Sequence, residues 1–331
     1  MAIAKPGKGN DIGRRQQLIY GALQGVTPLK LEGVIVPLIT PLRPDESLDE
    51  HGLERVVEYV IEGGVTGIFV LGSSGEFPNL DSRTKERLLR AVRAQIGNRV
   101  SLLAGISNAG TRQALEQGKR LARLGADAIV VTAPYYYPHT QSELATHFLT
   151  IARTLEVPLV AYNIPQMVKV SLEPETVARL AEDPFIIGIK DSAGDMAAFG
   201  RFLEIRNAHA DNFSVSQGAE QVAAESVLRG ADGVVLGLAN IAPRLCRELY
   251  DAAKAGDREK AEVLQQRLMH LYPINEYKSF VAGLKTAASL LDLCKPIVTA
   301  PFEPLDDDQV EAVRQRLVDL NLLDRSIEGL H

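Results

Sequence analysis

Three segments far apart in the chain leave a helix and enter a strand in the same way. "GGVTGIFV" (63–70), "LGADAIVV" (124–131) and "RGADGVVL" (229–236) each set a glycine, a small residue and Thr or Asp before an apolar, mostly β-branched run. Each follows a segment of amphipathic helical period. A helix that closes on glycine and turns straight into a fully apolar strand is the unit of a parallel sheet, buried on both faces. Parallel neighbours need crossovers, and repeated helical crossovers lead to a doubly wound sheet or a closed barrel.

Apolar runs place eight strands at about 33–39, 66–71, 100–105, 127–132, 158–162, 186–190, 213–217 and 232–236. Helical patterns fall between and after them, at about 49–62, 81–96, 110–124, 141–155, 173–182, 195–208, 219–229 and 242–255. Eight such units in roughly 230 residues predict a (β/α)8 TIM barrel. A doubly wound sheet would usually carry a glycine-rich dinucleotide turn after its first strand, and "VPLITPLRPD" (36–45) has none. Three further helical segments follow 257 with no linker before them. The expected organisation is an N-terminal arm over 1–30, the barrel over 31–256 and a helical extension over 257–331 packed on the barrel.

Composition excludes several functions. A net charge of −6 gives no electrostatic case for nucleic acid or an anionic membrane. No apolar stretch reaches the roughly 18–20 residues of a membrane helix, and the first thirty residues lack a signal-peptide core. Cys246 and Cys294 lie in helical patterns and read as reduced, packed thiols of a cytoplasmic protein. The six histidines show no ligand spacing, so no metal site is expected.

In a barrel of this type, reactive groups project from the C-terminal strand ends and the loops after them. Strand 2 ends in "GSSGEF" (72–77), strand 4 in "APYYYP" (133–138), strand 5 in "AYNIP" (161–165) and strand 6 in "IIGIKDSAGD" (186–195). Strands 7 and 8 end in "SQGAE" (216–220) and "GLAN" (237–240). Lys190 is then a working amine or a strand-end lysine reaching for water. Tyr162 is a site phenol or a core tyrosine, and "GSSGE" an anion nest or a plain turn. Glu76 is a solvated turn residue or a structural hydrogen-bond partner. There is no phosphate loop and no serine nucleophile elbow. A strand-end lysine beside a phenol points to covalent amine catalysis on a carbonyl substrate.

Taken together, "TPL" (40–42), "GSSGE", "PYYYP", "YNIP" and "GIKDSAGD" resemble the pyruvate-dependent class I lyases, the family of dihydrodipicolinate synthase and N-acetylneuraminate lyase. The resemblance runs along nearly the whole chain from Gly33. It implies that Lys190 forms a Schiff base with the keto group of a 2-oxo acid and that Tyr162 shuttles protons beside it. It implies that Ser73 and Tyr136 complete a hydroxyl relay, with Tyr136 reaching in from a neighbouring subunit. Ser74, Gly75 and the N–H groups of their turn would hold the substrate carboxylate, with Gly218 and the Val235 carbonyl on the floor. The family pattern also implies no cofactor beyond the imine, and a homo-oligomer, a dimer or a dimer of dimers.

Two positions depart from the lysine-pathway synthase. That enzyme carries Arg two residues after the proline of "YNxP", where this chain has Met167. A thioether cannot replace a bidentate guanidinium. Phe77–Pro78 stands where the synthase has small residues. The aromatic Phe77 resembles the aldolases and dehydratases of 2-keto-3-deoxy sugar acids, the expected substrate class. Met167 speaks only against the synthase's substrate, and nearby Lys169, on a strand-like stretch, would point differently. The synthase condensing pyruvate with aspartate semialdehyde is the alternative, and a barrel that only binds a 2-oxo acid is the remoter one.

Overall fold

The computed structural model describes residues 29–209 and 212–323. Its strands are β1 Gly33–Pro37, β2 Gly67–Val70, β3 Ser101–Gly105, β4 Ala128–Thr132, β5 Leu159–Asn163, β6 Ile186–Asp191, β7 Ser214–Gln217 and β8 Gly233–Val235. They pair in sequence order, all parallel, and β8 closes on β1. The chain is a (β/α)8 barrel with helices added after it. The repeated glycines explain the regular joints: Gly64, Gly125 and Gly230 have φ of 87°, 92° and 104°. A side chain is strained in that region, so glycine recurs where each helix reverses into its strand.

Around the barrel lie α1 Glu50–Glu62, α2 Ser82–Ile96, α3 Thr111–Ala122, α4 Gln141–Leu155, α5 Pro174–Ala181, α6 Met196–Ala208, α7 Ala223–Leu228 and α8 Pro243–Lys254. The extension holds α9 Arg258–Leu271, α10 Phe280–Leu290 and α11 Asp307–Asp319. Helix α9 buries Ala261, Leu264, Leu268 and Leu271 on one stripe, while α10 buries eight of its eleven residues. A helix apolar nearly all round is buried nearly all round. The extension is thus continuous with the barrel core, in which Leu264, Leu284 and Leu317 all take part.

Some details differ from the sequence expectation. The helix expected over 219–229 starts as a 3-10 turn, Glu220–Val222, and only then becomes α7. Its entry is governed by Gln217, whose side chain accepts from the Ala219 N–H at 2.7 Å and donates to Ser226 Oγ at 3.0 Å. Cys294 lies beyond α10 and not inside it, although both thiols are free and buried. Burial pushes the Cys294 thiol up to about 11, consistent with a packing role. The expected arm lies, through residue 28, outside the described residues. Among the described residues no helix is long and apolar enough to cross a membrane.

One core group predicts an acid sensitivity. His147 of α4 is buried and its Nδ1 lies 2.8 Å from the Thr111 hydroxyl. Burial, helped by the nearby His139, lowers its pKa from 6.5 to about 4. Between these values the unfolded chain binds a proton that the folded chain does not. Stability therefore falls as pH drops through that window, by roughly 3 kcal/mol in full. Denaturant unfolding of the native chain and of His147→Gln should show their stability gap shrinking by about that amount from neutral pH to about pH 4. A gap that does not change with pH contradicts this.

Candidate active site

Register decides what the strand ends bring together. Tyr162 on β5 pairs with Lys190 on β6, so both side chains point to the same face of the sheet, into the barrel mouth. Lys190 is only 5% exposed. Its Nζ sits 4.0 Å from the centre of the Tyr162 ring and 5.1 Å from that of Phe69. The two rings meet edge to face at 6.3 Å. An ammonium is favoured over such faces, and the rings also keep water from the amine. Gly218 makes room for it, because a Cβ there would lie 2.9 Å from Lys190 Cε and 2.2 Å from Ser192 Oγ.

The next pair in the same register, Asn163 and Asp191, points the other way. Asn163 Nδ2 donates to Asp191 Oδ1 at 2.7 Å, and its Oδ1 accepts from the Leu172 N–H at 2.9 Å. Burial pushes the Asp191 carboxyl up to about 6. These contacts pin the loops after β5 and β6 directly behind the amine and the phenol.

The turn after β2 is held tightly. Gly75 N–H donates to Gly72 O and Glu76 N–H to Ser73 O, both at 3.1 Å, while Thr40 Oγ1 donates to Gly75 O at 2.8 Å. A Cβ on Gly75 would approach Leu38 O to 3.0 Å. Leu71 and Glu76 bracket the turn with φ of 59° and 57°, which costs side-chain-bearing residues about 1 kcal/mol or more each. Glu76 is fully buried and ion-paired with Lys285, so of its two sequence readings the structural partner holds.

A cavity of about 490 Å³ opens at the C-terminal mouth of the barrel. It gathers Lys190, Tyr162, Ser73, Ser74, Gly218 and Val235, all named from the sequence. Gly75 lies buried in the turn behind this lining. Tyr136 is 85% exposed, with φ 92°, and does not line the cavity of its own chain. Its ring stacks edge to face on Tyr137 at 4.9 Å. Met167 lines the mouth from a single helical turn, Pro165–Val168. Lys169 caps that turn with φ 64° and donates to Gln166 O at 3.0 Å, so the strand-like setting expected for it is replaced by a helix cap.

Sequence reasoning missed one whole wall. Tyr272, Asn275, Phe280 and Leu284 reach the cavity from the extension. Glu220, buried after β7, receives the Leu238 N–H on Oε1 and Asn275 Nδ2 on Oε2, each at 2.7 Å. Desolvation pushes its carboxyl above the usual range. "SQGAE" displays this acid at a strand end, which is a usable signal; nothing local marks Tyr272 or Asn275. Among the described lining residues Lys190 is the one ammonium and Glu220 the one carboxyl, with no guanidinium. Among the described residues no cluster of three His, Cys, Asp or Glu could hold a metal ion.

Comparison with known proteins agrees with this geometry. The model of the dihydrodipicolinate synthetase family matches residues 30–320. A 4-hydroxy-tetrahydrodipicolinate synthase of Methylococcus capsulatus is 36% identical over 287 residues, 87% of this chain and 98% of the relative. A DapA-like lyase of Halobacterium salinarum is 34% identical over 296 residues, 89% of this chain and 96% of the relative. The crystal structure of dihydrodipicolinate synthase from Acinetobacter baumannii in complex with pyruvate superposes with a TM-score of 0.84. It is 33% identical and covers 89% of this chain and all of the other.

Proposed function

The chain belongs to the dihydrodipicolinate synthetase family, and on that premise we propose that it is a Schiff-base-forming class I lyase whose substrate is a 2-keto-3-deoxy sugar acid. Lys190 Nζ attacks the keto carbon, and Tyr162 delivers the proton with which the carbinolamine hydroxyl leaves as water. The protonated imine draws electrons from the neighbouring carbon. In the aldolase direction the C4 hydroxyl gives up its proton, the C3–C4 bond breaks, and its electron pair forms the enamine. An aldehyde leaves, a proton returns to C3, and water releases pyruvate from Lys190. In the dehydratase direction C3 instead loses a proton to give the enamine. Its electrons expel the C4 hydroxyl, which takes up a proton and leaves as water. A C3–C4 double bond forms and the carbon chain is kept. Neither course requires a metal or an organic cofactor.

Ser74 and the N–H groups of Ser73 and Ser74 hold the carboxylate, with Gly75 shaping their turn, and Gly218 and Val235 form the floor beneath the imine. Tyr136, exposed on a rim of three consecutive tyrosines, completes the hydroxyl relay of Ser73 and Tyr162 in a second copy of the chain.

The observation that carries the choice of substrate is the charge of the distal wall. Gln166, Gln221, Tyr272 and Asn275 offer hydroxyl and amide partners, Met167 a thioether, and none of them a cation. That suits a neutral polyol chain and leaves a second carboxylate unpaired. Pairing such a group matters, because an unpaired carboxylate in a closed site loses its hydration without return. The names of the relatives favour the synthase as the second reading.

Turnover of 2-keto-3-deoxygluconate and its stereoisomers should exceed condensation of pyruvate with aspartate semialdehyde by about tenfold or more in kcat/KM. Released pyruvate with an aldehyde identifies an aldolase; a dehydrated product with the chain intact identifies a dehydratase. Faster condensation with the semialdehyde overturns the sugar-acid assignment and supports the synthase.

A further inference from the structure

The contacts of Glu76 reach far beyond its own turn. Lys285 of α10 places its ammonium on one carboxylate oxygen, and both side chains are shut off from solvent. The other oxygen accepts from the backbone N–H and the hydroxyl of Thr299, each at 2.7 Å. Lys285 also donates to Ile297 O at 2.6 Å, and Asn79 donates to the Thr299 hydroxyl at 2.8 Å. The extension therefore grips the turn after β2 through the side chains of Lys285 and Thr299 and the backbone N–H of Thr299.

A buried ion pair is a weak source of stability, because desolvation offsets most of its attraction. It does fix geometry, since each charge tolerates few other positions. Here the geometry fixed is that of Glu76, held at φ 57° one residue after Gly75. Its N–H bonds to the Ser73 carbonyl, so any relaxation of Glu76 passes into the two serines. Leu284, the neighbour of Lys285, lines the cavity, so one helix supplies both the wall and the anchor.

We propose that Glu76, Lys285 and Thr299 are positioning residues for the reaction, holding the turn that receives the carboxylate of the 2-oxo acid. The inference depends on the reading of that turn given above. A barrel with the extension displaced would keep Lys190 and Tyr162 and lose its grip on substrate.

The test uses pyruvate and borohydride on the full-length chain, measuring the pyruvate concentration that half-fills Lys190. Glu76→Leu combined with Lys285→Met removes both charges together, so that neither charge is left buried alone, and thermal melting reports its fold. The expected result is a rise of fivefold or more in the half-filling concentration at an unchanged end-point. A merely structural role lowers the melting temperature and the end-point without moving that concentration. A shift of less than fivefold in the folded double variant overturns the proposal. Should that variant fail to melt cooperatively, Thr299→Val, which removes one hydroxyl only, decides instead. A rise of threefold or more supports the proposal, and a smaller one overturns it. Absence of any adduct in the native chain would overturn the Schiff-base reading itself, a distinct outcome.

Discussion

Lys190→Met lowers kcat/KM for the cleavage or dehydration of the sugar acid by about 10⁴-fold or more and abolishes borohydride-trapped adduct. Methionine conserves the length and burial of the stem, whose end sits over the Tyr162 and Phe69 rings, so the fold should persist. Loss of the amine removes the electron sink, because among the described lining residues no other carries an amine that can form an imine. The melting temperature should stay close to that of the native chain or rise, since an amine has been taken out of a site that is only 5% exposed. Activity within about tenfold of the native value would contradict covalent catalysis at this residue.

Tyr162→Phe has the second largest expected effect. The ring remains, with its edge on Phe69 and its face under the Lys190 amine, and only the hydroxyl is lost. General acid–base groups contribute about 10² to 10⁴-fold, so kcat should fall within that range. The pyruvate concentration that half-fills Lys190 should move little, because the carboxylate is held elsewhere. The rate of imine formation should fall in step with kcat. An unchanged kcat would assign the proton transfers to another group, such as the hydroxyl of Ser73 on the cavity wall.

What could be read from the sequence follows from how each feature is encoded. The eight strands were legible because a parallel strand buried on both faces is an apolar run bounded by turn residues. Lys190 and Tyr162 were legible because each interrupts such a run at its C-terminal end, where a barrel places its chemistry. Their pairing across β5 and β6 needs the register as well as the strand order, and that register shifts between Leu159 and Val160. Glu76 was ambiguous for a concrete reason: its partner Thr299 lies 223 residues away, and no local pattern joins the two. Asn275 reaches Glu220 across 55 residues from a 3-10 turn, Tyr272–Glu276, with no periodicity to announce it. Lys169 reads from the sequence as lying on a strand-like stretch of "YNIPQMVKV". The structure folds Pro165–Val168 into one helical turn instead, with proline at a position where its missing N–H costs nothing.

The central claim is that a single amine, that of Lys190 at the end of β6, carries the chemistry. It is tested most directly by incubating the full-length chain with pyruvate, reducing with borohydride, digesting, and locating the added mass by peptide sequencing. The adduct should fall on the peptide containing "IIGIKDSAGD", at Lys190 and at no other lysine, in a stoichiometry approaching one per chain. An unmodified Lys190, or an adduct confined to another lysine such as Lys285 or Lys169, would contradict the account.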